Sequence, residues 1–561
     1  MMVVSDKQEY ELRAHLLRRA GFGSSKKELQ QYMRNSYEDT VEYLLKPNFN
    51  DWMGDHLVRR FDPEASGMIN APGASRNWLY RMISTANPLT EKIPLLWHSI
   101  FATGVPKVIN GRVLFDQINM LRKYGTGRLD DLLLQLSKDP AMIVWLDNQE
   151  NHKDAMNENW GRELLELFSM GVGNYTEEDV KECARAFTGW TIGNTEYMMV
   201  RAKRDSDWPY GRIAYHFQYR EDDHDTSERT FLGQTGNFNG DDIIRIICEQ
   251  ESTARFISRH LYHFFVADEV PVPSWGTVEP RDPKAIDQLV KAYFDSNHNI
   301  TDMLRVLFNS DFFKSRDVRY QKVKGPAEFA STVIKLSGQF EIPDREMIPK
   351  YQQIVWMGQE LSNPSSVEGW HEGKEWVDTG TLVERINFAS EQLGDYQKPG
   401  IQKIVDTLML ENTDLISEEE IIEQCLEHLG YLEISNETRD VLVEYAKEID
   451  NPVNKPKDAA KKVFIKINGT VSSIAPLLPP LKPNQPNHNI SVPRTANGKL
   501  DPVNFPLFES EYFPILGPRI NTADKAIHPP TECTIVLPAK STKPISVNQP
   551  VLLISLVTVN N

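Results

Sequence analysis

With 561 residues, 40% of them hydrophobic, the chain is long enough to bury a sizeable core and form one large domain with an appendage, or two to three domains. A formal charge of −17, with Lys and Arg scattered and not striped among aromatics, argues against a nucleic-acid-binding surface. The four cysteines (Cys183, Cys248, Cys425, Cys533) lie far apart without a CxxC pair, which disfavours zinc-ribbon and disulfide frameworks and favours a reducing compartment.

The N-terminus lacks a basic segment followed by an apolar one, and the longest strongly apolar run, 551–559, is too short to span a bilayer. A cytoplasmic protein without a membrane span is therefore expected. Helical periodicity opens at 10–20 and continues at 26–46 and 73–86. In LTEKIPLLWHSIFATG, Thr90 caps a helix carrying His98, a residue that fits either a core position or a catalytic one. Two helices fill 111–138, and Pro140 opens a short apolar helix that delivers Asp147 and Asn148 to its end.

The densest stretch runs from Asn157 to Ile192. Trp160, Leu164, Leu165, Leu167 and Phe168 form an apolar stripe, with Glu158, Asn159, Arg162, Glu163, Glu166 and Ser169 opposite. Glu158, Arg162 and Glu166 are spaced i,i+4, so the guanidinium can sit between two carboxylates. Asn157 and Asn159 bracket Glu158, and asparagine is a poor helix former that favours local hydrogen bonding. Gly171 and Gly173 stop the helix, and Thr176–Asp179 caps a second one that ends before Trp190.

Beyond Trp190 the helical pattern breaks into an irregular or two-stranded excursion within 195–235, which carries His224, Asp225 and Arg229. Helices resume at 241–250, 253–266, 283–296, 301–313, 325–338, 347–358 and 381–395. His260 and His263 are i,i+3, a spacing metals use, but no matching second ligand pair accompanies them. An all-α body over 1–400 is thus expected, with an acidic helical satellite over 401–465 packed on it. The last 96 residues hold fifteen of the 34 prolines, so 466–561 should be an irregular tail, dispensable for folding of the body.

The segments HLLRRAGFG (15–23), WHSIFATG (97–104), AMIVWLDN (141–148), NENWGRELLELFSMGVGNYTEEDV (157–180), ARAFTGW (184–190), HD (224–225), TARFISRHL (253–261) and VEGWHEGKEW (367–376) follow one another in order. Together they resemble the bacterial family called domain of unknown function 1800, over about residues 10–464. The resemblance implies a largely helical protein and carries no catalytic residue or cofactor with it. It also implies a sulfatase-like partner protein and, for many members, export through a twin-arginine signal that this sequence lacks.

Two readings of function stand side by side. In the first the chain is a hydrolase-like enzyme: His98, Asp147, Glu158, Arg162, Glu163, Glu166, His224 and Asp225 converge as catalytic groups, and Asn157, Asn159, Trp190 and Arg229 bind a polar ligand. In the second the same charges form a structural ion network in a binding or assembly protein. No nucleotide, zinc-protease or serine-hydrolase motif separates the two, and the identity of any metal is not assigned.

Overall fold

The computed structural model describes residues 4–66, 70–108, 110–193, 215–411 and 417–448. By contact the chain divides into two units, Met1–Leu481 and Lys482–Asn561, and the tail expected from 466 onward lies outside the described residues. Among those residues the fold is all-α: 22 helices make up 62%, beside two small antiparallel sheets.

Local chemistry sets the element ends. The periodic 26–46 stretch folds as two helices, Lys26–Tyr32 and Tyr37–Leu45, because Ser36 and Asp39 form a capping box that starts a new helix. Pro140, Pro283 and Pro326 each stand in the first turn of a helix, where their missing N–H costs no hydrogen bond. The helix Asp55–Phe61 is absent from the sequence reading: Gly54 begins it without a side-chain cap, and its DHLVRRF carries little apolar pattern.

The strands also begin earlier than expected. Trp190–Gly193 pairs antiparallel with His216–Tyr219, and Arg229–Phe231 with Gln234–Gly236. The residues between the first two strands, 194–214, lie outside the described set. Within the range 401–465, Glu418–His428 and Asn436–Glu448 are both helices. Arg18 of the first helix donates to the Gly430 carbonyl, and Tyr10 stacks on Tyr431.

A run of aromatic rings ties the central hairpin to the core. Trp97 stacks on Phe101 (5.2 Å between centroids), Phe101 meets Phe168 edge-on (5.4 Å), and Trp160 bridges Phe168 to Phe187 (6.1 and 5.6 Å). These rings are all buried, and edge-on pairs add to the stabilisation from burial alone. The hairpin helices Asn159–Glu166 and Glu177–Ala186 cross where Gly161 faces Ala184 and Val180, so closely that a Cβ would lie 3.0 Å from the Ala184 nitrogen and the Val180 oxygen.

Candidate functional site

The loop from Asp147 to Asn157 is built by side-chain amides. Asn148 donates to the carbonyls of Phe187 (3.3 Å) and Trp190 (2.8 Å). Asn151 donates to the Ala184 carbonyl (2.8 Å) and accepts from the Asn157 backbone (3.0 Å), while Asn157 in turn accepts from the Asn159 backbone (3.0 Å). The asparagines therefore fix the backbone that feeds the central helix, in line with their aptitude for local hydrogen bonds. Asp147 sits in the left-handed region (φ 59°) and pairs with Lys107 at 2.5 Å.

On the helix Asn159–Glu166 the expected pairing is rearranged. Arg162 lies between Glu158 (3.2 Å) and Glu177, which takes it in a two-pronged grip at 2.8 and 2.9 Å. The helix ends at Glu166, and the glycine turn brings the first turn of the next helix, with Glu177, back alongside Arg162. Glu166 instead accepts from the Tyr175 hydroxyl at 2.9 Å. Glu177 holds the Arg162 guanidinium charged well above its ordinary range. Glu177 is exposed and Arg162 and Glu158 are each about a third exposed, so Arg162→Ala should cost under about 1 kcal/mol and leave the far-ultraviolet circular dichroism unchanged. A loss above about 2 kcal/mol in urea unfolding would instead mark the trio as a structural keystone.

Glu163 is different in its bonding. It is half-buried, and its carboxyl takes part in no hydrogen bond or ion pair among the described residues. Burial pushes its carboxyl up to about 7, the neighbouring Glu166 and the more remote Glu368 push the same way, and only Arg162 opposes them. Glu368 lies on the loop of the VEGWHEGKEW motif, with its side chain exposed.

The remaining expected groups lie in two other places. His98 is wholly buried between Trp370 (5.3 Å) and Trp78 (6.0 Å), with neither ring nitrogen hydrogen-bonded, and burial drives it down to about 3. It is a neutral core ring at physiological pH. Asp225 accepts from Arg185 (2.8 Å) and from the Ser227 backbone (2.9 Å), and Arg185 also binds Glu182 (2.7 Å). The buried Arg229 donates to the carbonyls of Asp225 and Ser227. The His224 ring lies 2.9 Å from the Thr188 carbonyl, and Trp190 packs between Phe187 and Phe217 with the Lys138 ammonium 5.2 Å from its ring. No hydrogen bond or ion pair among the described residues joins Glu158, Arg162 or Glu166 to His98, Asp147 or His224.

The helical histidines do not act as a pair. His263 Nε2 lies 2.9 Å from Glu372 and 3.2 Å from Lys322, whereas His260 packs on Phe256 and Trp275 (4.6 Å each). Among the described residues no group of three or more His, Cys, Asp or Glu side chains is arranged to hold a metal ion. Nor is any helix there long and apolar enough to cross a membrane.

Residues absent from the sequence reading are Tyr175, Glu177 and Glu368. The first two stand inside the 157–180 motif and the third in the 367–376 motif, so the motifs carried them although helical spacing did not.

The structure thus defines a class: a multi-helix protein with a charged helical hairpin at its centre, most of its charges paired and one carboxyl left uncompensated. Residues 15–475 match the family model described as Protein of unknown function (DUF1800), and the chain belongs to that family. No curated protein and no solved structure matches it.

Proposed function

We propose that the chain is a hydrolase-like enzyme whose general acid–base group is the Glu163 carboxyl. The observation that supports this is the isolation of the Glu163 carboxyl: half-buried, without a hydrogen bond or ion pair, in the field of Glu166 and Glu368, and raised to about 7 against the opposing charge of Arg162. A carboxyl tuned to that range is suited both to accept and to return a proton near neutral pH. In the reading favoured here, carboxylate Glu163 takes a proton from a water molecule as the water oxygen bonds to the substrate carbon. The carbon–oxygen bond to the leaving group then breaks, and Glu163 returns the proton to the departing oxygen. A polar saccharide or ester is the substrate class that such a step serves. Glu166, oriented by Tyr175, keeps a negative charge beside Glu163, and Arg162 is positioned to meet a polar substituent.

The structural reading keeps its own support at Asp225, Arg185 and Arg229, whose bonds run to partners within the fold.

Two measurements test the proposal. Carbon-13 titration of the glutamate carboxyls should place Glu163 near 7, and a panel of chromogenic esters and glycosides should show turnover that Glu163→Gln lowers by about 100-fold or more. A midpoint in the ordinary carboxylate range, or equal turnover in the variant, sinks it. Stability supplies a third readout. A carboxyl raised by folding contributes most below its unfolded value of 4.5, and that contribution is lost as pH rises towards 7. Above that pH, Glu163→Gln should therefore be more stable than the parent by about 1 kcal/mol, after allowance for solvent screening.

A further inference from the structure

Two arginines close the first helix, Val4–Arg19, within the motif HLLRRAGFG, and the carboxyl site makes no use of them. Both turn inward, Arg18 to 8% and Arg19 to 5% exposure. Lys92, Lys322 and Arg385, from three other segments, are equally buried, and the half-buried Lys324 joins them. These cations lie near enough to repel one another: Lys92 feels Arg19, Lys322 and Lys324, and Lys324 feels Arg18, Arg19 and Arg385.

Only two of the six have a carboxylate partner among the described residues. Glu328 pairs with Lys92, while Asp268 (2.9 Å) and Glu372 (3.0 Å) hold Lys322. The other four donate to neutral oxygens. Arg18 binds the Gly430 carbonyl (3.0 Å), Arg19 the carbonyls of Phe264 and Phe265, Arg385 the Lys324 carbonyl (3.0 Å), and Lys324 the Thr332 hydroxyl (2.9 Å). Such bonds satisfy donors without neutralising charge, and burying an uncompensated cation is strongly unfavourable. The strain shows in the ammonium itself: burial first, then the surrounding cations, bring Lys324 down to about 7. Burial alone takes Arg385 to about 10, and its Nε has no partner.

At Gly23 the backbone comes close to the ammonium. Gly23 has φ 79°, and a Cβ there would meet Thr332 Cγ2 at 3.1 Å and Lys324 Nζ at 4.0 Å. Next to it, the buried Ser24 hydroxyl has no hydrogen-bond partner. The glycine turn thus sets its backbone close beside the ammonium, with an unpartnered hydroxyl at the next position in the chain.

We propose that the Gly23–Ser24 turn, Lys324 and Arg385, backed by Arg18 and Arg19, form a binding site for a tetrahedral oxyanion, phosphate or sulfate, free or as the ester group of a larger molecule. Four cations without an ion-paired carboxylate, of which Arg19 is partly offset at longer range by Asp268 and Glu372, call for more than one negative charge, which a carboxylate ligand does not bring. Guanidinium forks suit tetrahedral oxygens, and Lys324 supplies a point charge to a further oxygen. The site is independent of Glu163 and stands or falls separately from it. Binding should draw a proton onto Lys324, because an anion beside the ammonium restores its ordinary basicity.

Isothermal titration of the full chain with inorganic phosphate, inorganic sulfate and phenyl phosphate at pH 7.5 tests this, with chloride holding ionic strength constant. The expected result is one saturable site per chain with proton uptake, seen as a dependence of the heat on the buffer's ionisation enthalpy. Lys324→Met should weaken binding by about tenfold or more and abolish the uptake, whereas Lys324→Arg should retain affinity. Unliganded Lys324→Met should melt no lower than the parent, since it removes an uncompensated charge, which separates lost binding from lost folding. Tighter binding of phenyl phosphate than of phosphate would support the site and assign it to an ester group; equal binding of phosphate and sulfate would support it as a site for the free ion. No saturable heat with any of the three, or equal affinity in Lys324→Met, overturns the proposal.

Discussion

Glu372→Gln is expected to destabilise the protein by about 3–5 kcal/mol, the largest loss from any single charge removed here. Glu372 stands in the VEGWHEGKEW motif, where it meets His263 Nε2 at 2.9 Å and Lys322 Nζ at 3.0 Å. The Glu269 backbone N–H donates to His263 Nδ1 (2.9 Å), which leaves Nε2 as the nitrogen that carries a hydrogen towards Glu372. Removing the carboxylate leaves Lys322, almost fully buried, with Asp268 alone, in a region already rich in buried cations. Burial works to raise the Glu372 carboxyl, but Lys322 and then His263 outweigh it and hold the group well below the usual range. A depressed carboxyl contributes stability that is complete above its unfolded value of 4.5 and is lost as pH falls below it. Urea unfolding at pH 7 should therefore show the full difference, and the gap between parent and variant should shrink towards pH 3. A difference under about 1 kcal/mol at pH 7 would mean that the cluster contributes little to stability.

The helices were readable wherever a cap and an apolar stripe agreed. Pro283–Asp295, opened by Asp282 and Pro283, has both, whereas Asp55–Phe61 has neither and was missed. The break at Ser36 was also legible in principle, since Ser36 and Asp39 have capping-box spacing, but the surrounding apolar period ran straight across it. Site geometry was less accessible. Spacing along one helix placed Arg162 between Glu158 and Glu166, yet the partner that grips it is Glu177, brought back by a turn whose angle no periodicity encodes. Glu163 was named among the reactive residues, but its isolation depends in part on Glu368, about two hundred positions away. The buried cations were hidden more deeply. Arg18 and Arg19 read as basic residues at a helix end, an ordinary position for them, and their convergence with Lys92, Lys324 and Arg385 exists only in the folded chain.

Asp225→Ala should cost about 2–3 kcal/mol, and the comparison with Glu163→Gln separates the structural charges of the central region from the uncompensated one. Asp225 accepts from the Arg185 guanidinium and from the Ser227 backbone, and its own N–H donates to the Thr188 hydroxyl at 2.8 Å. These bonds bring the C-terminal end of the Glu177–Ala186 helix onto the segment that leads into Arg229–Phe231. Arg185 would keep Glu182 after the substitution, so its charge is not stranded, and this holds the cost below that of Glu372→Gln. Burial opposes the ionised form of Asp225, yet the bonds from Arg185 and Ser227 prevail and hold its carboxyl far below the ordinary range. Its contribution is thus complete above the unfolded value of 3.8 and is lost as pH falls below that. Glu163→Gln runs the opposite way, gaining stability over the parent as pH rises through 7. Melting curves of the parent and the two variants at pH 5 and pH 8 decide the matter. Asp225→Ala should be the weaker protein at both values, and Glu163→Gln should gain on the parent between them. Were Asp225→Ala as stable as the parent, its ion pair with Arg185 would not be holding the hairpin to the strands, and the structural reading of that charge would fail.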